Sequence, residues 1–192
     1  MIERESTWPD GTLCGAVFSD DERHRYLLWR EFPRDLTTTD ADETKFPVFL
    51  MLNPSTATHE VSDPTVTRCA RFAARHGYAS FQVCNLFSFR STDPSGLLSA
   101  RDAEGDPANL ETILAVTEQA DLVVCAWGTF GDLRMRNRHV LDALFAAGAG
   151  PKLRCLGRTA AGHPRHPLYL PSATNLERFT GRDLKLLTTE AR

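Results

Sequence analysis

Pro47-Val48-Phe49-Leu50-Met51-Leu52-Asn53-Pro54-Ser55-Thr56-Ala57 passes without interruption from an apolar run into a polar turn. Val48 to Leu52 is apolar at successive positions, so neither face of a strand here would meet water, and the run reads as a central strand of a covered sheet. Asn53-Pro54-Ser55-Thr56 is then the exit of that strand, and Asp63-Pro64 opens a helix with Asp63 as N-cap and Pro64 in the first turn. Ligands of open α/β sheets bind at the carboxyl ends of the strands, where loops diverge and helix amides point inward. Asn53 stands at such an end beside the stiff ring of Pro54. Asn, Pro and Ser are also ordinary turn formers, so what else reaches the same edge decides the meaning of this stretch.

The pattern repeats downstream. The helix opened at Asp63 stops at Gly77, with Val66, Cys69, Ala70 and Ala73 on one face and Arg68, Arg71 and Arg75 on another. Ser80 to Leu86 reads as a second strand. Asp106 to Gln119 reads as a helix burying Leu110, Ile113, Leu114 and Thr117. A third strand spans Leu122 to Trp127, a helix near Met135 to Ala147 presents Val140, Leu141, Leu144 and Phe145, and Leu153 to Leu156 is a fourth strand. This alternation predicts a three-layer α/β/α sandwich around a mainly parallel sheet, with right-handed crossovers. Upstream, Gly15-Ala16-Val17-Phe18 and Tyr26-Leu27-Leu28-Trp29 flank a polar turn and predict a β-hairpin extending one edge; Pro33 to Lys45 reads as a loop. At 192 residues, one domain with one substantial core is expected.

Composition narrows the function classes. No stretch reaches the roughly 20 apolar residues of a membrane span, and Met1-Ile2-Glu3-Arg4-Glu5 is unlike a secretory signal, so a cytoplasmic protein is expected. Cys14, Cys69, Cys84, Cys125 and Cys155 are scattered, with no C-x-x-C pair, and His59, His76 and His139 have no partners at metal-ligand spacing; neither metal nor cofactor is expected. No G-x-G-x-x-G or G-x-x-x-x-G-K-[ST] loop follows a strand, which excludes a Rossmann dehydrogenase and a P-loop enzyme. A net charge of -3 argues against indiscriminate nucleic-acid binding. Bases nevertheless concentrate between Arg134 and His166, where Arg134, Arg136, Arg138, Lys152, Arg154, Arg158 and Arg165 face Asp142 alone. That asymmetry permits a local anionic partner there, and a solvated helix face explains much of it equally well.

The strand exits converge in type. They offer Asn53-Pro54-Ser55-Thr56, Asn85-Leu86-Phe87, Trp127-Gly128-Thr129 and, after Arg158-Thr159, Gly162-His163-Pro164-Arg165-His166-Pro167-Leu168-Tyr169-Leu170. Two amides, aromatic rings and histidines on one edge form a set that reads a flat heterocycle by hydrogen bonds and stacking. Phe87 is a candidate stacking residue, His163 and Arg165 form a rigid basic loop, and Arg90 is a candidate phosphate ligand.

These motifs resemble a known superfamily. Met51-Leu52-Asn53-Pro54-Ser55 is similar to the Gly-(Ile/Met)-Asn-Pro-Gly loop of mismatch-specific and single-strand-selective uracil-DNA glycosylases. Val83-Cys84-Asn85-Leu86-Phe87 resembles the strand whose Asn reads the uracil edge, and His166-Pro167-Leu168-Tyr169-Leu170 resembles the late His-Pro-Ser-(Pro/Tyr)-Leu loop. The whole chain also resembles an uncharacterised bacterial family marked by MLNPSTA and GHPRHPLYL. The resemblance implies a uracil-DNA glycosylase-like fold, a water-positioning role for Asn53, base reading by Asn85 and stabilisation of charge on the departing base by His166. Ser55, Thr56, Phe87, His163, Arg165 and Arg90 are the further candidate contacts, read from their residue types and their places at the strand exits rather than from the resemblance. The implied partner is a nucleobase, nucleotide or nucleic acid, and the implied reaction is N-glycosidic hydrolysis. This chain departs from the pattern at Ser55, where Gly is usual, and at Leu168, where Ser is usual; no Asp takes the water-activating position, and Asp63 reads as a cap. Two alternatives therefore stay open: a non-catalytic nucleotide- or nucleic-acid-binding module, and an N-glycosidase of small nucleosides.

Overall fold

A computed structural model describes residues 1–33, 44–171 and 173–181. Most of the expected Pro33–Lys45 loop lies outside the described residues. Strands β1 (Ile2–Thr7), β2 (Leu13–Phe18), β3 (Arg25–Glu31), β4 (Pro47–Met51), β5 (Ser80–Asn85), β6 (Leu122–Cys125), β7 (Leu153–Cys155) and β8 (Glu177–Arg178) form one sheet. Its order is β1-β2-β3-β5-β4-β6-β7-β8. The helices are α1 (Pro64–Arg75), the short α2 (Gly96–Ser99), α3 (Pro107–Gln119) and α4 (Arg136–Ala146).

The fold is α/β, but the sheet is mixed rather than mainly parallel. β5, β4, β6 and β7 form a parallel core, while β1, β2, β3 and β8 all pair antiparallel. The expected hairpin exists and docks through β3 onto β5, so that Leu28 stands opposite Val83. β1 is an additional strand. Ile-Glu-Arg-Glu-Ser-Thr carries no apolar alternation, so its register against β2 comes from the partner strand.

The two faces of β4 divide the interior. Val48 and Leu50 join one apolar cluster with Ile113 of α3 and Val140, Leu141 and Leu144 of α4. Phe49 and Met51 join another with Val66, Cys69, Phe72 and Ala73 of α1. Alternate side chains of a strand point to opposite faces, so a strand covered on both sides must be apolar throughout, as β4 is. α1 begins as expected: Asp63 Oδ1 accepts the Val66 N–H at 2.8 Å, and Gly77 beyond its end takes φ 76°. Phe145, expected in the core, is 43% exposed near the end of α4. Among the described residues no helix is long and apolar enough to cross a membrane.

Candidate functional site

A cleft of about 440 Å³ lies across the exits of β4, β5 and β6. Backbone bonds stitch those exits together. Leu86 and Phe87 N–H donate to Met51 O and Leu52 O, Ala126 N–H donates to Leu50 O, and Gly128 N–H donates to Pro164 O. The loop carrying His166 is thereby tied to the β6 exit.

Asn53 lines the cleft and also clamps it. Its Nδ2 donates to Ser91 O at 2.8 Å and Pro54 O at 3.1 Å, while Ser91 N–H donates to Pro54 O at 2.9 Å. With Nδ2 occupied, Oδ1 is the atom able to accept from a ligand or water, and no described residue donates to it.

Asn85 ends β5 at 1% exposure and lines the cleft. Arg25 Nη2 donates to its Oδ1 at 3.4 Å. A guanidinium has no acceptor, so this contact identifies the amide oxygen and leaves the amide NH₂ as the donor for a ligand. Arg25 is itself buried against the cleft, and its Nη1 donates to Ala57 O at 2.7 Å. Burial draws its pKa down to about 10 against the pull of the Asp63 carboxylate, so the group stays cationic at neutral pH.

His166 caps the 3₁₀ turn Pro167–Tyr169: its Nδ1 accepts the Leu168 N–H at 3.3 Å. A ring that accepts at Nδ1 carries its proton on Nε2. Burial lowers the pKa of His166, opposed by the Asp63 charge, and favours that neutral, Nε2-protonated ring. Asp63 is the sole carboxylate among the described lining residues; Oδ1 caps α1, and no described residue donates to Oδ2. Apolar walls come from Trp127, Phe130, Leu168 and Tyr169. Trp127 is packed edge-on against Phe179 at 5.6 Å, and its Nε1 is buried with no partner among the described residues.

The structure thus brings Asn53, Ser55, Thr56, Asn85 and His166 to one cleft. Phe87, Arg90, His163 and Arg165 are not in its lining. Phe87 is enclosed in the core at 0% exposure, and Arg165 is exposed. Arg90 stacks over the Phe18 ring and donates to Glu22 O at 3.0 Å. His163 is buried with Nε2 at 3.2 Å from Asp132 Oδ2, and that carboxylate also accepts from Asn137. Sequence reading missed Arg25, because an arginine opening a hairpin strand looks like a solvated surface residue. It gave Asp63 the cap alone, whereas the side chain both caps and lines. Among the described residues no group of three or more His, Cys, Asp or Glu could hold a metal ion.

Comparison with known families matches residues 25–168 to one described as a protein of unknown function, DUF1643. The chain belongs to that family. The matched span holds every lining residue except Tyr169, from Arg25 to Leu168. Neither curated proteins nor solved structures gave a match.

Proposed function

We propose that this DUF1643 protein is a uracil-DNA glycosylase-like protein, whose cleft takes a nucleobase of a nucleic acid or nucleotide and hydrolyses its N-glycosidic bond. The observation that carries the reading is the arrival of Asn53, Asn85 and His166 at one cleft with complementary free atoms: an acceptor at Asn53 Oδ1, donors at Asn85 Nδ2 and His166 Nε2. In the reaction, a water oxygen bonds to the anomeric carbon as the C–N bond breaks. The bond's electron pair leaves with the base, and the water's proton passes to solvent or to Asp63. Positive charge builds on the sugar and negative charge on the base, so neutral donors at the base lower the barrier. Asn53 accepts from the water and orients it; an amide is too weak a base to take its proton. Asp63 supplies negative charge on the side of the developing sugar cation.

Free base release from single- and double-stranded DNA containing uracil or another deaminated base tests the reading, with wild type beside Asn53→Ala. Release that falls at least about 100-fold in the variant is expected. No release from any DNA or nucleoside substrate would defeat the enzymatic version. The second reading, a binding module without turnover, draws on Asn53 Nδ2 being fully used as a loop clamp. Ligand-dependent melting without turnover would select it. Weak salt dependence with a nucleoside substrate would select a small-molecule N-glycosidase.

A further inference from the structure

Arg25 is buried at 3% exposure against the cleft. Among the described residues it has two bonded partners, Ala57 O and Asn85 Oδ1, and its Nε is buried without any. No carboxylate forms an ion pair with it among the described residues. Asp63 attracts the guanidinium without pairing with it, so the burial cost of the cation is only partly offset, and an anion entering the cleft would offset more of it. Arg30, the other buried arginine of β3, also has a buried Nε with no partner among the described residues, and its Nη atoms donate to Trp29 O and Thr58 O. It packs over Trp8, however, and does not line the cleft, so of the two only Arg25 can meet a ligand there.

We propose that Arg25 is a positioning residue which locks the Asn85 amide with its NH₂ free for the ligand and makes the cleft floor a receptor for an anionic ring atom or oxygen. The inference rests on the cleft being the ligand site and extends the proposed function to the charge state of what is held. Donation from Arg25 to Oδ1 polarises the amide, so Asn85 N–H becomes a stronger donor to a negatively charged acceptor. The floor then favours a deprotonated lactam over a neutral one. Other charges facing Arg25 are Asp63, which opposes an incoming anion, and Arg30 and Arg90, which assist it; Cys84 is a neutral thiol beside it. His166, with its lowered pKa, stays neutral from neutrality upward and adds no competing titration.

The test compares wild type, R25K, R25M, N85D and the R25M/N85D double variant. Binding is measured by calorimetry from neutral to moderately alkaline pH with 5-fluorouracil, whose ring ionises, with 1,3-dimethyluracil, which cannot ionise, and with inorganic phosphate. Affinity for 5-fluorouracil should rise with pH, fall about ten- to hundredfold in R25M and partly recover in R25K, while dimethyluracil binds weakly at every pH. Arg25-dependent phosphate binding with no binding of either base supports the anion receptor and overturns the nucleobase reading. Binding that is flat with pH, unchanged in R25M, or absent for every anion overturns the proposal. Melting provides the second arm. N85D should be tolerated beside Arg25, which gains a counter-ion, and strongly destabilising in the R25M background, where the carboxylate is buried alone. Melting losses that simply add would overturn the positioning role.

Discussion

A histidine whose Nδ1 already accepts a backbone proton has one proton to offer, and at His166 burial protects that state. Its folded-state pKa lies below the ordinary 6.5. Between those two values the unfolded chain binds more protons, so stability falls as pH drops through 6.5 and stops falling once the folded-state pKa is passed. Melting temperature between pH 7 and 5 should decline less steeply in H166N than in wild type; parallel curves would contradict this. Asn53, Ser55, Thr56, Asn85 and His166 were legible because strand ends can be located from apolar runs, and strand ends are where such sheets bind. Arg25 was not, because nothing in a linear pattern separates a charge that faces solvent from one that faces a cleft.

Among elements, α1 shows how one side chain carries two duties. Replacing Asp63 by Ala should cost about 0.5–2 kcal/mol of unfolding free energy, the usual effect of losing an N-cap, whereas Asp63→Asn should stay within about 0.5 kcal/mol of wild type. Base release that collapses in D63N while its denaturation midpoint holds would assign the carboxylate a chemical duty beyond the cap; equal losses would confine it to the helix. The helix itself was readable from Asp63-Pro64 to Gly77 because capping chemistry is local. β1 was unreadable because its place depends on a partner strand. Near the cleft wall, a Cβ at Gly131 would stand 2.2 Å from Trp127 Cδ1. Gly131→Ala should therefore destabilise by about 1–3 kcal/mol and shift tryptophan emission as Trp127 is displaced.

For the molecule as a whole, the five thiols report on integrity. All are free and buried, and burial raises their pKa values, to about 12 at Cys84 and about 11 at Cys155. Thiolates are the reactive form, so native protein should label extremely slowly with a disulfide reagent, and the labelling rate should follow global unfolding as denaturant is added. Rapid modification of any one thiol in native protein would show a local opening that the packing does not suggest. The α/β class was legible from the alternation of elements, which local periodicity encodes. Strand order and the mixed character of the sheet were not, since they are settled by which buried faces meet across 50 or more residues, as Leu28 meets Val83.

β3 runs against the parallel core, so its first residue arrives at the edge where β4, β5 and β6 finish. Time gives that reversal its meaning. Arg25, Asn85 and His166, all in the cleft lining, come from widely separated parts of the chain. The cleft is therefore complete only when residues as far apart as Arg25 and Tyr169 have come together, after the loop closures that slow such topologies. A ligand that bound this cleft would recognise finished molecules alone, and by binding them it would draw the folding equilibrium toward completion.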